Sequence, residues 1–195
     1  MNLTRLASNS LDLERVRLRR VERTDRDELF AIHSDTEVAR YLARPAMTKP
    51  EDADDLIDRI HSGYQNDTIL QLAMERMTDG AFLGSCLLFN FNPRGPRAEI
   101  GYSLGRTHWG KGYMHEALVA LVELAFGALG LNRLEADIDP RNTASARSLE
   151  RLGFEREGRL RERWTINGEV SDSLIYGLLR RDWATRPSRP SPSPA

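Results

Sequence analysis

The sequence predicts one mixed α/β domain with a predominantly antiparallel sheet and a single β-α-β crossover. Residues 15–21 alternate charged and apolar side chains, which is typical of a half-buried strand. Three more strand-like segments follow at 69–77, 81–91 and 97–104. A glycine-containing loop then leads into an apolar segment of helical period and another short strand, which is the order of a crossover.

The N-terminal part of the chain supplies the first strand and a pair of helices. In that strand, Val16 and Leu18 are expected to face inward. Thr24 is the predicted N-cap of a helix that continues to about Ser34. Residues 48–51 match a capping box with an early proline, which predicts a second helix ending near residue 64.

The middle of the chain builds the sheet and the crossover helix. The strands at 69–77 and 81–91 are predicted to form a hairpin through a turn at Thr78-Asp-Gly80. The crossover helix begins near Gly112 and ends at Gly130, because glycine favours helix termination. Residues 133–138 then return as a short strand.

The C-terminal part adds a helix over about 142–153 and two strands, 154–160 and 170–178, joined by a loop containing Asn167-Gly168. We therefore expect a single domain over residues 1–185. Residues 186–195 alternate Pro and Ser and are predicted to form a disordered tail.

Composition limits the class of protein. Lys and Arg number 28 against 29 Asp and Glu, so no overall positive charge would attract nucleic acid or anionic lipid. No apolar run approaches the roughly 20 residues that cross a bilayer. Cys86 is the single cysteine, and the N-terminus lacks the apolar stretch of a signal peptide. We therefore expect a cytoplasmic protein that binds neither nucleic acid nor membrane.

The strongest local motif is Trp109-Gly-Lys-Gly-Tyr113, between a predicted strand and a predicted helix. Glycines let backbone N–H groups turn toward an anion, and a helix N-terminus adds partial positive charge, so a pyrophosphate fits here. A tight strand-to-helix turn is the alternative. Residues 105–111 also match the G-x-x-x-x-G-K pattern of nucleoside-triphosphate loops, but Gly112 replaces the magnesium-binding Ser or Thr, which argues against that class.

Five blocks together resemble the GNAT superfamily of N-acetyltransferases, in the branch that includes the ribosomal-protein N-terminal acetyltransferases. The likeness covers about residues 12–183. It implies a GNAT fold, with six or seven strands splayed at the centre of the sheet and flanked by helices, and acetyl-coenzyme A as acetyl donor. The blocks are Ala98-Glu-Ile-Gly-Tyr102, Trp109-Gly-Lys-Gly-Tyr-Met114, Asp139-Pro-Arg-Asn142, Ala144-Ser145 and Leu152-Gly-Phe154.

The resemblance also implies which residues hold the donor. Backbone groups from Tyr102 to Leu104 would bind the pantetheine arm, with Asn142 as a further contact and Ser145 near the thioester sulfur. Capping of the helix is the alternative role for Asn142 and Ser145. Thr107 stands where the family commonly has Gln or Arg, so Lys111 or Arg106 is expected to compensate. The amides expected around the pyrophosphate are those of Trp109, Gly110, Lys111, Gly112, Tyr113 and Met114.

For catalysis, the resemblance implies direct attack of the amine on the thioester in a ternary complex. Leu149 stands where many relatives have a proton-donating Tyr, which leaves Ser145 as candidate donor. Glu99 and Asp137 are the candidate bases and Glu135 is a third. Each carboxylate has an alternative role as a solvent-facing strand charge, since a register slip of one residue reverses the faces.

Other reactive side chains are assigned no chemistry. Cys86 lies in an apolar segment and is interpreted as a core residue rather than a nucleophile. The four histidines have no ligand spacing with cysteine or carboxylates, so we expect no metal.

The resemblance to this branch of the family implies that the acceptor is the α-amino group of a protein or peptide. A ribosomal protein is one candidate. Small amines (amino acids, polyamines or aminoglycosides) are the alternative, and a non-catalytic sensor or interaction module is a more distant one. A polyamine site would favour acidic residues, and residues 51–55 form the one dense acidic run, which we interpret as the negative first turn of a helix. A homodimer is compatible with the sequence.

Overall fold

Eight strands form one open sheet in the computed structural model, which describes residues 2–92, 94–166 and 168–185. The strand order is β1-β2-β3-β4-β5-β6-β8-β7, and every neighbouring pair is antiparallel except β5 and β6. The predicted fold class is confirmed. The strands are β1 (Leu11–Asp12), β2 (Val16–Arg20), β3 (Ile69–Arg76), β4 (Phe82–Asn92), β5 (Arg97–Leu104), β6 (Arg133–Ile138), β7 (Glu155–Ile166) and β8 (Glu169–Leu179).

The sheet has one strand more than the six or seven expected. The additional strand is β1, which pairs with β2 through Leu11 and Asp12. Two residues are too few for an alternating pattern, so only the pairing with β2 identifies this edge strand. The predicted tail at 186–195 and Asn167 of the β7–β8 turn lie outside the described residues.

Four of the helices lie where they were predicted, and three short ones were not predicted. Helix α1 is held by tertiary bonds, with the Leu3 amide donating to Asp67 and the Thr4 hydroxyl donating to the Tyr64 carbonyl. No described helix is long and apolar enough to cross a membrane. The helices are α1 (Leu3–Ser8), α2 (Arg26–Ser34), α3 (Thr36–Ala39), α4 (Glu51–Gln65), α5 (Tyr113–Phe126), α6 (Thr143–Arg151) and α7 (Arg180–Ala184). The predicted ends of the four longer helices are wrong in three places: α2 has Asp25 rather than Thr24 as N-cap, α4 begins after Pro50 without a capping box, and α5 ends at Phe126 rather than at Gly130.

The core lies between the sheet and the long helices α4 and α5. Tyr64 of α4 is completely buried, and its hydroxyl donates to the Gln71 carbonyl of β3. Leu118 and Leu121 of α5 are also fully buried. Burial of one such side chain stabilises the folded protein by about 1.5–3 kcal/mol, because its apolar surface is removed from water. These contacts pack α4 and α5 against the sheet.

The centre of the sheet is splayed, as expected. Strands β5 and β6 pair only over residues 97–99 with 133–135. Beyond Glu99 the two strands separate, while β6 remains paired with β8 as far as Ile138. Residues 100–104 therefore present one backbone edge to a gap that no neighbouring strand fills, and this gap positions the candidate site.

Candidate active site

The two faces of the sheet bring different side chains to the gap. In the paired region, Ala98 lies opposite Leu134 and Glu99 lies opposite Glu135. Because side chains alternate along a strand, Tyr102 is on the face of Ala98, and Asp137 is on the face of Glu99. Groups that act on a molecule in the gap can therefore approach it from both sides.

The loop before α5 has the conformation that an anion site requires. Gly110 and Gly112 have φ angles of 74° and 82°, in the left-handed region that favours glycine. The N-cap of α5 is Gly112, which makes no side-chain cap hydrogen bond, so the start of this helix is not capped by its own residue. Met114 is 9% exposed and belongs to the core, which leaves its backbone as the part that could face a ligand. These features fit a pyrophosphate.

Arg15 is a neighbour of this loop that the sequence did not reveal. Its guanidinium donates to the Lys111 carbonyl at 2.9 Å and lies over the Tyr113 ring. Glu116 of α5 accepts from the Arg15 side chain at 2.9 Å and from the Arg15 amide at 2.7 Å. Arg15 therefore braces the loop and adds positive charge beside it. No local pattern connects residues so far apart in the chain.

Trp109 begins the loop on the side of β5. Its indole N–H donates to the Leu104 carbonyl at 2.8 Å, although 46% of the residue is exposed. This carbonyl was expected to serve the pantetheine arm, and an internal donor already occupies it. The Tyr102 to Leu104 edge nevertheless has no β6 partner along the gap.

A phenol and a serine meet at the start of α6. The Tyr102 and Ser145 hydroxyls lie 2.6 Å apart, and Ser145 is 8% exposed. Burial raises the pKa of Tyr102 to about 12, with the Ser145 hydrogen bond acting in the opposite direction. Only the backbone of Tyr102 was expected near the donor, so its hydroxyl is an addition to the predicted site.

Asn142 has the capping role that was its alternative interpretation. Its side-chain oxygen accepts from the Ser145 amide at 3.1 Å and caps α6. This bond leaves the Ser145 hydroxyl unaffected. Leu149, at the position of the proton-donating Tyr in many relatives, is fully buried in the core and carries no proton to donate.

A cavity of about 330 Å³ opens on the side of Asp137. Its walls come from the segment around α3, the end of β6 and the β7–β8 hairpin. Tyr41 and Trp164 both line it, whereas residues 90–92 at the end of β4 do not. The full set of lining residues is 36, 39–46, 137, 139, 141, 164, 166, 169 and 171.

The three candidate bases have different surroundings. Asp137 lines the cavity and accepts from the Trp164 indole at 3.3 Å, with the Arg163 guanidinium 3.6 Å away. Glu99 is outside the cavity lining and accepts from the Asn90 amide at 2.9 Å. Glu135 forms ion pairs with Arg133 and Arg97. Asp137 is therefore the carboxylate best placed to meet an acceptor.

The acidic run at 51–55 belongs to the first turn of α4 and its neighbours. Asp52 accepts from the Thr48 and Lys49 amides, and Asp54 pairs with Arg26 of α2 at 2.9 Å. None of these residues lines the cavity. The interpretation as a helix N-terminus is confirmed.

Cys86 is a core residue, as predicted. It is completely buried, and burial raises the pKa of its thiol to about 12. A thiol in this state is a poor nucleophile, because the thiolate is the reactive form. Among the described residues, no three His, Cys, Asp or Glu side chains cluster as metal ligands would.

A splayed sheet with a glycine loop at the start of the following helix is the architecture of an acetyl-coenzyme A-dependent acetyltransferase, and the sequence comparison agrees. Residues 15–155 match the family described as "Acetyltransferase (GNAT) domain". The chain belongs to this family, and it is an acetyl-coenzyme A-dependent N-acetyltransferase.

Similar proteins support the assignment to this family. "Uncharacterized N-acetyltransferase p20" of Bacillus licheniformis is 37% identical over 180 residues, 90% of this chain and 98% of that protein. The "[Ribosomal protein uS5]-alanine N-acetyltransferase" of Escherichia coli is 37% identical over 84 residues, 43% of each chain. The structure titled "Mycobacterium smegmatis RimJ in complex with CoA-disulfide" superposes with a TM-score of 0.78 at 23% identity, over 86% of this chain and 83% of that one, and supports the fold.

Proposed function

We propose that this enzyme acetylates the N-terminal α-amino group of a protein or peptide by direct attack of the amine on the donor thioester. The observation that carries the proposal is the cavity that opens beside the splayed strands with Asp137 in its wall. The relative that acts on alanine of ribosomal protein uS5 supports this class of acceptor. A ribosomal protein is therefore the first acceptor to test.

The pyrophosphate of the donor would lie on the amides of residues 109–114, with Arg15 and Lys111 adding positive charge. Its pantetheine arm would follow the open edge of β5 into the gap. These assignments rest on the positive φ angles of Gly110 and Gly112 and on the uncapped start of α5.

In the acetyl transfer, the amine nitrogen forms a bond to the thioester carbonyl carbon, and the carbon–sulfur bond breaks. Asp137 accepts the proton that the amine loses. Ser145 donates a proton to the leaving thiolate while the Tyr102 hydroxyl, 2.6 Å away, passes its own proton to Ser145. Solvent then returns a proton to Tyr102 and removes one from Asp137. Base and acid lie on opposite faces of the sheet, so each reaches the gap from its own side.

The assigned base suits an α-amino group. Such an amine has a pKa of about 7.7–8.0, so a useful fraction is neutral near pH 7. A lysine side chain, with a pKa of about 10.4, would require a much stronger base. Asp137 is held in the cavity wall by Trp164 and Arg163, where an α-amino group would meet its carboxylate.

The test is an acceptor screen that follows release of free thiol from acetyl-coenzyme A. Peptides copied from ribosomal-protein N-termini are compared with the same peptides blocked at the N-terminus, and with polyamines, aminoglycosides and free amino acids. We expect turnover with the free peptides alone, and mass spectrometry should place the acetyl group on the α-nitrogen.

Equal turnover of free and blocked lysine-containing peptides would contradict the α-amino proposal. Turnover confined to a small amine would move the enzyme to the small-molecule class. Binding of coenzyme A without turnover of any amine would favour a sensor.

A further inference from the structure

Arg44 lies in the wall of the acceptor cavity without a partner. It is half-buried, and it makes no hydrogen bond or ion pair with any described residue. A guanidinium carries five N–H donors in a fixed plane, and no described residue accepts from those of Arg44. An arginine with free donors in a cavity wall is available to bind an anionic group of a ligand.

The groups around Arg44 supply no negative charge to pair with it. Arg59 of α4 is close enough to repel it, and burial together with Arg59 lowers the pKa of Arg44 to about 10. On another side is His33, which is 4% exposed and has no hydrogen-bond partner on either ring nitrogen among the described residues. Burial lowers the pKa of His33 to about 3, so this ring is neutral and supplies no negative charge.

The carboxylates of the same cavity are already paired. Asp139 bonds to Arg141 at 2.6 Å, and Arg141 lowers the pKa of that carboxyl. Glu169 pairs with Arg141 as well. Asp137 is held by Trp164 and Arg163. A polycationic acceptor would have to displace these arginines and would still face Arg44.

We propose that Arg44 forms an anion subsite for the acceptor, which binds a carboxylate carried by an acidic side chain at the second or third residue of the acceptor peptide. This inference rests on the proposed α-amino acetylation. A planar guanidinium matches a carboxylate with two parallel hydrogen bonds, which gives orientation as well as attraction. Arg44 would thus select the peptide, while Asp137 serves the amine.

The test uses lysine-free peptides that share an N-terminal alanine and differ only at the second or third residue, which is Glu, Gln or Lys. For the wild-type enzyme, kcat/KM should be about tenfold to hundredfold higher with Glu than with Gln at the preferred position, as expected for a charged hydrogen-bonded pair. Arg44→Gln should remove this preference, and Arg44→Glu should reverse it in favour of Lys. The matched control is Arg5→Gln, an exposed arginine on α1, which should keep the wild-type preference.

Two controls exclude misfolding and a small-molecule acceptor as explanations of the peptide preference. Coenzyme A affinity and melting temperature are measured for each variant, and the reversed preference of Arg44→Glu cannot arise from misfolding. Free glutamate is a separate acceptor, which distinguishes a peptide carboxylate from that of a small molecule.

Equal turnover of the Glu and Gln peptides by the wild type overturns the subsite and leaves α-amino acetylation standing. Failure to acetylate any peptide overturns the proposed function, and this inference with it. Turnover confined to free glutamate overturns the peptide source of the carboxylate.

Discussion

At the scale of single residues, the proposed proton donor is the pair formed by Ser145 and Tyr102, because α6 has no tyrosine at position 149. Leu149 cannot donate, and the buried phenol 2.6 Å from Ser145 keeps its proton well above neutral pH. A phenol that stays protonated can resupply a serine hydroxyl throughout the working pH range. This pairing requires α6 and β5 to be correctly packed.

We expect Ser145→Ala to lower kcat by about a hundredfold, the lower end of the range for acid–base catalysis. Tyr102→Phe should lower kcat less, because the serine remains. Neither variant should change coenzyme A affinity, measured by calorimetry. Tyr176→Phe is the control, since this phenol contacts α6 through Glu150 instead. An unchanged kcat for Ser145→Ala would remove it from the proton path.

The identity of the base, Asp137 or Glu99, can also be tested with single substitutions. Asp137→Asn should lower kcat/KM by about a hundredfold or more at pH 7, because the amine loses its proton acceptor. Part of the loss should disappear above the α-amino pKa of about 8, where the amine is already neutral. The matched variant Glu99→Gln should retain near wild-type activity. The reverse ranking of the two variants would assign the base to Glu99.

At the scale of elements, the loop before α5 depends on backbone conformation more than on side chains. Gly110 and Gly80 provide a matched pair, with φ angles of 74° and 71° and no atom of a neighbouring residue within 4 Å of the place that a Cβ would occupy. Alanine at either position should cost roughly 1–2 kcal/mol of stability, because the left-handed conformation is unfavourable for it.

Only Gly110→Ala should also weaken coenzyme A binding, by about tenfold, since its loop amides would turn away from the pyrophosphate. Gly80→Ala lies in the β3–β4 turn and should bind normally. Calorimetry with coenzyme A and thermal unfolding measure the two effects separately. Equal affinities for the two variants would show that the loop does not hold the donor.

At the scale of the whole molecule, His33 connects global stability to pH. In unfolded chains histidine has a pKa of about 6.5, whereas burial lowers the pKa of His33 to about 3 in the folded protein. Below pH 6.5 the unfolded state therefore binds one more proton than the folded state. The stabilisation is complete above pH 6.5 and is lost as the pH falls toward 3.

We expect the free energy of unfolding to fall by up to about 1.4 kcal/mol per pH unit below pH 6.5 through this group. In His33→Leu this component should be absent, so the slope between pH 6.5 and 5 should be shallower by that amount. Urea unfolding at several pH values measures the slope, independently of any offset in stability. Parallel slopes for the two proteins would contradict a neutral, buried His33.

The amino-acid sequence by itself determined the fold class, the seven longer strands and the glycine loop before α5. These features depend on short-range patterns: alternation in strands, helical period, and glycines at the start of α5. Gly110, Gly112 and Ser145 could be proposed because each lies within a contiguous motif. The short elements α1 and β1 were missed, because contacts with distant residues stabilise them.

Only the tertiary structure decided how the acceptor side is built. Arg15 reaches Lys111 although 96 positions separate them in the chain, and the Tyr102 hydroxyl reaches Ser145 on another element. The cavity wall likewise takes Arg44, Asp137 and Trp164 from three separate segments. Strand alternation alone could not choose between Glu99 and Asp137, because both occupy the same face. The β7–β8 hairpin and the segment after α3 distinguish the two carboxylates, because they enclose Asp137 in the cavity wall and leave Glu99 outside it. A site assembled from distant segments depends on how those segments pack together. Local sequence patterns do not predict that packing.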